Sequence, residues 1–179
     1  MKKTILIIIL MTINLISFSQ GTGNKKGDKV LNIGLGVNSH YLSGIPFGAS
    51  LDVPISDEIS ISGYFDYLST SEKVSYPANE LKYKVFYIGG RVSYNFNELL
   101  ALNRNKFDIY LGAALGYRIF SGDDKTNAYY DGDNKYSSKP YLGAFTGGKY
   151  YFTEKFGCFA ELGILESAES VRIGIAFKL

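Results

Sequence analysis

The few residues that could do nucleophilic chemistry fall in a predicted loop and in the strand before it. His40 is the only histidine of the 179 residues, and Ser39 precedes it. A histidine can act as a base for a serine, here Ser39 or Ser43, when an aspartate such as Asp123 or Asp124 orients it. Adjacent strand residues point to opposite faces, so Ser39 and His40 fit this arrangement poorly. We therefore expect a loop histidine and no catalytic residue.

A metal or cofactor site is also not expected. In the segment Ser121–Lys139, the spacing of Asp131, Asp133 and Asn134 hints at calcium binding. The next alternate ligand and the closing glutamate of a calcium loop are missing. The single histidine argues against a multi-histidine metal site, and a single cysteine, Cys158, excludes an internal disulfide framework. We interpret Cys158 as a small packing residue.

The N-terminal segment has the features of an export signal. Residues 1–19 begin with two lysines, continue with an apolar run and end with small residues at Ser17 and Ser19. This pattern predicts a secretory signal peptide that is cut before Gln20. The alternative is a membrane helix, but the apolar run of about 16 residues is interrupted by Asn14 and is shorter than the roughly 20 that span a bilayer.

The charge of the predicted mature chain, residues 20–179, argues against nucleic acid as a partner. The full chain has 19 Lys+Arg and 17 Asp+Glu; removal of Lys2 and Lys3 leaves 17 of each, a formally neutral product. Nucleic-acid binding normally requires a basic surface. The composition, with 20 Gly, 15 Tyr, 12 Phe and no Trp, indicates many strands and few helices.

Apolar and polar residues alternate with a period of two along the mature chain, which predicts eight strands. The clearest run places Ile109, Leu111, Ala113, Leu115, Tyr117 and Ile119 on one face. The sixth and seventh runs are weaker, and Phe145 does not fit the phase we assign. In those two runs the residues that we place on the apolar face are Leu142, Ala144, Tyr150, Phe152, Ala160, Leu162 and Ile164.

The predicted connections alternate in character between the two ends of the strands. One end has Pro54–Glu58, Asn97–Lys106 and Thr153–Lys155; the other has His40–Gly44, Ser69–Leu81, Ser121–Lys139 and Glu166–Ser170. Short turns at one end and long loops at the other are typical of bacterial outer-membrane barrels. We therefore predict one all-β domain over residues 20–179, an eight-stranded antiparallel up-and-down transmembrane β-barrel with both termini in the periplasm.

The polar face of the strands favours a membrane barrel over a soluble one. It is rich in glycine, which suits side chains that crowd into the narrow interior of an eight-stranded barrel. The alternative is a soluble barrel with solvated charges on this face. We instead predict a luminal ionic network, because four acids face four bases there. Its residues are Asp52, Asp66, Arg91, Asp108, Arg118, Lys149, Glu161 and Arg172.

Aromatic residues gather near the strand ends on the apolar face, as in the interfacial girdles of membrane barrels. The predicted girdle on the turn side consists of Tyr94, Phe96, Phe107, Tyr150, Phe152 and Phe177. Toward the loops lie Phe47, Tyr67, Phe86 and Tyr117.

These features together resemble the small outer-membrane β-barrel proteins of Gram-negative bacteria, of the OmpA/OmpX-like eight-stranded type. The resemblance rests on the predicted signal peptide, the eight alternating runs, GGKYYF followed by FAELG, and the terminal VRIGIAFKL. It implies that the barrel-assembly machinery recognises alternate apolar residues of the last strand, here Ile173, Ile175, Phe177 and Leu179. Leu179 departs from the family, which usually ends in phenylalanine.

The resemblance implies a place in the cell envelope and a fold, and no chemistry. We expect an integral outer-membrane protein with a structural or surface-interaction role and an ion-paired, plugged lumen. The expected partners are outer-membrane lipid and lipopolysaccharide, with the chain a monomer. The alternatives are a narrow, porin-like pore for small ligands, and a rim enzyme that modifies lipid A, as some eight-stranded outer-membrane enzymes do with a histidine and a serine.

Overall fold

The computed structural model describes residues 27–37, 44–75, 78–100, 106–122, 137–163 and 171–179. The predicted signal peptide, residues 1–19, lies outside these ranges. So do the histidine, serine and aspartate residues considered for catalysis and the aspartates considered for calcium. No helix in the described ranges is both long enough and apolar enough to cross a membrane.

Eight strands form one closed barrel in which each strand pairs with its neighbours in the chain and β1 pairs with β8. All eight pairings are antiparallel. The predicted all-β, eight-stranded, up-and-down fold is therefore confirmed. The strands are β1 (Val30–Val37), β2 (Phe47–Pro54), β3 (Ile59–Ser75), β4 (Ala78–Asn95), β5 (Phe107–Gly122), β6 (Lys139–Tyr151), β7 (Phe156–Gly163) and β8 (Val171–Lys178).

The period-two alternation of the sequence places one set of side chains inside the barrel and the other set on its outer surface. Along β5 the apolar run points outward, with Leu111 and Leu115 exposed, while Asp108, Tyr110 and Ala114 are buried inside the barrel. The assigned phase of the two weaker runs holds as well, apart from Ile164, which lies outside the described residues. Phe145 lies inside the barrel at 7% exposure, whereas Leu142 and Leu162 are exposed on the outside.

The prediction of a loop over Ser69–Leu81 is wrong. There β3 and β4 continue as a paired ribbon from Tyr67 opposite Phe86 up to Ser75 opposite Ala78. The segment looks like a loop because its outward residues become polar. The alternation in fact continues, but the apolar residues now point inward. At the start of the ribbon Leu68 and Val85 are buried inside at 1% and 0% exposure, while Lys84 is exposed outside.

At the other end of the barrel, side chains hydrogen-bond the backbone in the tight turns after β2 and β6 and in the connection after β4. After β2, the Ser56 hydroxyl accepts a hydrogen bond from the backbone N–H of Ile59 at 3.0 Å. After β6, Thr153 does the same for Phe156 at 3.0 Å. After β4, the Asn97 amide donates to the Phe107 carbonyl at 2.6 Å and accepts from the Ile109 N–H at 2.9 Å. These local bonds satisfy backbone groups that leave the strand ladder.

Candidate functional site in the barrel lumen

The outer surface of the barrel is apolar over most of the strand length. Residues that point outward include Leu115, 67% exposed, and Ile88, 56% exposed. A soluble protein rarely exposes a contiguous apolar patch of more than a few hundred Å². The other large exposed residues on the strands include Leu35, Ile61, Phe65, Val92, Ile109, Leu111, Ile119, Leu142, Leu162, Ile173 and Ile175.

The lumen holds a group of charged side chains centred on Glu161. Arg91 Nη1 lies 3.0 Å from Glu161 Oε2, and Arg172 Nη1 lies 3.8 Å from the same oxygen. The Tyr110 hydroxyl donates a hydrogen bond to the other carboxylate oxygen, Oε1, at 2.8 Å. The carboxylate is therefore held by side chains from three strands, β4, β5 and β8.

The ion pairs continue around the barrel from this carboxylate. Arg172 forms a second ion pair with Asp66, and both side chains are 2% exposed. Lys149 pairs with Asp52, whose carboxylate also accepts from the Asn32 amide at 2.7 Å. We call the residues Asp52, Asp66, Arg91, Lys149, Glu161 and Arg172 the central charged cluster.

Aromatic rings cover the cations of this cluster. The Arg91 guanidinium lies 4.4 Å from the centre of the Tyr64 ring and 4.7 Å from that of Phe145. Lys149 Nζ lies 5.4 Å from the centre of the Tyr110 ring. Cation–π contacts are stronger where water is excluded, so the rings help to hold charges that burial alone would disfavour.

The other two residues of the predicted ionic network lie near the ends of β5, and one of them, Asp108, is the register partner of Lys149 in the central charged cluster. Asp108, near the inner end, accepts a hydrogen bond from the Asn97 amide at 2.8 Å. Arg118, near the other end, donates to the Ser137 carbonyl from Nε at 3.2 Å and from Nη2 at 3.0 Å. Both side chains are buried, at 2% exposure.

Buried aromatic and aliphatic side chains pack around the central charged cluster and on both sides of it. A cavity of about 10 Å³ remains beside Arg91 and Glu161, about the space that one water molecule needs. The inner layer consists of Val30, Tyr151, Phe159 and Ala176. On the other side, a larger group of buried residues continues toward the end of the ribbon: Tyr64, Leu68, Tyr83, Val85, Tyr87, Tyr110, Ala114, Tyr141 and Phe145.

Glycines and aromatic residues are paired across strands inside the lumen, which the sequence analysis did not anticipate. In the strand register Gly112 lies opposite Phe145 and Gly116 lies opposite Tyr141. A Cβ atom at Gly116 would lie 3.0 Å from a carbon of the Tyr141 ring. Each ring thus fills the space that its glycine leaves empty. Detecting these pairs requires the register between strands, and alternation within one strand does not give it.

The outward aromatic residues near the turns contact one another. Phe107 and Tyr150 have ring centres 4.9 Å apart, and those of Tyr150 and Phe152 are 5.2 Å apart. Phe156, which we did not include in the predicted girdle, extends this row, with its ring centre 6.1 Å from that of Phe152. The remaining turn-side rings are Tyr94 and Phe96, whose centres are 5.1 Å apart, and Phe177 on β8.

The last strand presents its alternate apolar residues on the outside. Ile173, Ile175, Phe177 and Leu179 are between 42% and 66% exposed. The N–H of Leu179 donates to the Lys29 carbonyl at 2.9 Å, so pairing with the first strand continues to the final residue. These residues form one outward stripe beside β1.

The described ranges contain no group of three or more His, Cys, Asp or Glu side chains that could hold a metal ion. Cys158 is a free, half-buried thiol on β7. It points outward, opposite Tyr150 and Ile175 in the strand register.

A double-mutant cycle should show that Arg91 and Glu161 interact. We expect Arg91→Met and Glu161→Met each to destabilise the barrel, because each removes one side of a buried ion pair. The double variant should recover part of the loss, with a coupling energy of about 2 kcal/mol. Urea unfolding in lipid vesicles measures all four free energies. Strictly additive losses would contradict a direct interaction between the two side chains.

Comparison with known proteins identifies the fold. Neither a protein-family model nor a curated protein sequence matches this chain. The outer membrane protein OprG from Pseudomonas aeruginosa is similar in structure, with a TM-score of 0.56, 12% identity and coverage of 89% of this chain and 99% of that one. The Yersinia pestis outer membrane protein Ail in a phospholipid bilayer nanodisc is also similar, with a TM-score of 0.54, 13% identity and coverage of 86% of this chain and 100% of that one.

A third similar structure is Neisserial surface protein A, with a TM-score of 0.51, 19% identity and coverage of 85% of this chain and 96% of that one. At these identities the likeness concerns the fold. The chain has the closed, antiparallel, eight-stranded barrel fold of small outer-membrane β-barrel proteins.

Proposed function

We propose that this chain is an integral outer-membrane protein with a structural or surface-interaction role and without catalytic activity. Residues 1–19 direct its export, and the barrel of residues 20–179 spans the membrane as a monomer. The tight turns after β2 and β6 and both chain ends lie in the periplasm, because short turns face that side in such barrels. Its structural neighbours include outer membrane proteins, one of them in a phospholipid bilayer nanodisc.

One observation carries the proposal of membrane insertion: on β3 and β4 the polarity of the outward residues inverts at a single level, from apolar to polar. On β3 and β4 the outward residues Tyr67 and Phe86 are apolar, and one row further the outward residues are Ser69 and Lys84. From that row onward the buried inward residues are apolar, beginning with Leu68. A water-soluble wall needs an apolar interior, whereas a wall in lipid needs an apolar exterior. The inversion fits a barrel that leaves the bilayer at this level.

The height of the apolar exterior fits a bilayer as well. On β3 it extends from Ile59 to Tyr67, which is about 26 Å along the strand at about 3.3 Å per residue. With a strand tilt of about 40° this gives about 20 Å along the membrane normal. The band of outer-membrane barrels is about 25 Å tall. The aromatic rows at both ends would then lie at the two interfaces.

The filling of the lumen favours a plugged barrel over a narrow pore. The space beside Arg91 and Glu161 in the central charged cluster is about 10 Å³, and buried aromatic and aliphatic side chains pack on both sides of the cluster. Ion passage would require several ion pairs to separate inside a space with little water, which is costly. We propose that the luminal charges, including Asp108 and Arg118, hold the wall together and conduct nothing. Single-channel recording in a planar bilayer tests this proposal. Stable conductance steps would contradict it.

The ribbon formed by the ends of β3 and β4 supports a role in surface interaction. Pairing of β2 with β3 ends at Tyr67, whereas pairing of β3 with β4 continues to Ser75. Within the described ranges no strand pairs with this edge of β3 beyond Tyr67, and Gly44 lies beside Leu68 and Thr70 at its start. Strand edges of this kind accept extended partner chains. We also propose that the outward stripe of β8 is the signal read by the barrel-assembly machinery.

An arginine substitution on the outward face, compared with a matched control, tests membrane insertion. We expect Leu115→Arg to cost about 2 to 4 kcal/mol of the free energy of unfolding in vesicles, because the side chain would enter the bilayer midplane. Ser71→Arg is the matched control, since Ser71 points outward above the inversion level, and it should cost nothing. Urea unfolding measures both, and gel mobility with and without boiling reports the folded barrel. Equal costs for the two variants would contradict burial of the outer face in lipid.

A further inference from the structure

A row of small residues crosses three strands of the lumen wall on the inner side of Arg91. Ser60 on β3 lies opposite Ser93 on β4, and Ser93 lies opposite Gly112 on β5. Side chains that are paired in this way share one face of the sheet, and here that face is the lumen. The Phe145 ring fills the space over Gly112, whereas the two serines line the cavity of about 10 Å³.

The lining of this cavity is polar. Of the described residues that form it, Phe145 alone lacks a polar side chain; the others are Asp52, Ser60, Ser62, Arg91, Ser93, Asn95, Tyr110, Lys149 and Glu161. A space of about 10 to 15 Å³ holds one water molecule where about two to four polar groups can bind it, and apolar cavities stay dry. Size and lining together favour water as the occupant.

The charges around the cavity favour a neutral occupant over an ion. The carboxylates of Asp52 and Glu161 and the cations of Arg91 and Lys149 all line it. They pair with each other, Arg91 with Glu161 and Lys149 with Asp52, so their formal charges cancel. An added ion would bring an uncompensated charge into a space with little water, which is costly. A water molecule adds no charge and can both donate and accept hydrogen bonds.

The Ser60 hydroxyl group supplies an anchor for such a molecule. Ser60 is 3% exposed, and its hydroxyl oxygen has no hydrogen-bond partner among the described residues. Ser50 on the neighbouring strand β2 is similarly buried, but its hydroxyl group accepts from the Asn32 amide at 3.0 Å and donates to the Asp52 carboxylate at 3.3 Å. Buried hydroxyl groups nearly always have a protein or water partner. For Ser60, the cavity is the place where that partner fits.

We propose that this cavity is a binding site for one structural water molecule, which the Ser60 hydroxyl group holds. The water bridges this hydroxyl group to the two ion pairs that line the cavity, because it can accept from a cation and donate to a carboxylate. It thereby joins β3 to charged side chains of β2, β4, β6 and β7. The inference rests on the proposed plugged lumen and specifies what completes its packing.

The test uses the full mature chain folded in detergent micelles and counts long-lived water molecules by magnetic relaxation dispersion of the water oxygen. We expect Ser60→Val to lose one such molecule relative to the wild type, because the added methyl groups fill the cavity and offer no hydrogen bond. The matched control is Ser50→Val, the same change at a buried luminal serine outside the described lining of the cavity. It should keep the wild-type count. Gel mobility without boiling shows whether each variant is folded.

A crystal structure of the wild-type chain gives a second measurement that needs no variant to fold. Electron density for one water molecule should lie about 3 Å from the Ser60 hydroxyl oxygen. An empty map at this position, equal water counts in the wild type and Ser60→Val, or the same loss in Ser50→Val would overturn the inference. Single-channel recording tests the plugged lumen separately. Conductance steps from a chain that shows this water would contradict the plug and leave the water site in place.

Discussion

Replacing Arg172 with methionine should cost about 3 to 5 kcal/mol of the free energy of unfolding. Arg172 is 2% exposed and forms ion pairs with both Asp66 and Glu161. Its loss leaves two carboxylates with one fewer cation in the lumen, and breaking a buried ion pair on one side costs this much. Urea unfolding of the barrel in lipid vesicles measures the change.

A second substitution separates the electrostatic cause from lost packing. Arg172→Met combined with Asp66→Asn should recover part of the stability, since the amide is uncharged and fits the same space. Lys155→Met serves as the control, because Lys155 is exposed in the turn after β6, and it should change the free energy by less than about 0.5 kcal/mol. A loss in Arg172→Met that Asp66→Asn does not reduce would show that packing, and not charge, is responsible.

The eight strands and their facing could be predicted because each depends on residues within one strand. Alternation along β5 alone separates Leu111 and Leu115 from Asp108 and Tyr110. The same holds for the inward position of the charged residues, since a residue's parity determines its face. Even Phe145, which looked out of phase, obeys the rule, because an aromatic ring inside the barrel has Gly112 opposite it.

The sequence analysis failed where the environment of a strand changes along its length. The segment Ser69–Leu81 is predicted as a loop because its outward residues, beginning with Ser69, are polar, unlike those of a lipid-facing strand. Above the inversion level the wall is exposed to water, so the inward residue Leu68 is apolar and the outward residue Ser69 is polar. A reversal of polarity at constant period is thus a sequence signal for the membrane boundary, and it is detectable once both faces are followed together.

Contacts between distant strands were the other feature that the sequence alone could not determine. Arg91 and Glu161 are 70 positions apart, and their pairing depends on how the strands are staggered around the barrel. Arg91 and Glu161 both lie a few positions from the inner ends of β4 and β7, so the sequence makes this pair plausible without determining it. Glu161 also contacts Arg172, its register partner on the neighbouring strand β8, and accepts a hydrogen bond from Tyr110, which lies two strands away on β5.

Gly174→Ala should cost about 3 kcal/mol or more, because an added Cβ atom has no space at the seam between the first and last strands. Gly174 on β8 lies opposite Gly34 on β1 and opposite Phe159 on β7. The Cβ atom would lie 2.6 Å from the Cα of Gly34 and 2.6 Å from a Phe159 ring carbon, and it would overlap the Ile33 carbonyl oxygen. Overpacking usually costs about 1 to 3 kcal/mol. The cost is higher here since backbone atoms must move.

The matched control for this substitution is Gly63→Ala on β3. Gly63 points outward, and a Cβ atom there would meet nothing within 4 Å. Alanine should therefore be neutral or stabilise by up to about 1 kcal/mol, because it restricts the unfolded chain more than glycine does. Urea unfolding and gel mobility without boiling compare the two variants. Equal stability of Gly174→Ala and Gly63→Ala would contradict close approach of the strands at the seam, and with it the interpretation that luminal glycines let so narrow a barrel close around its aromatic side chains.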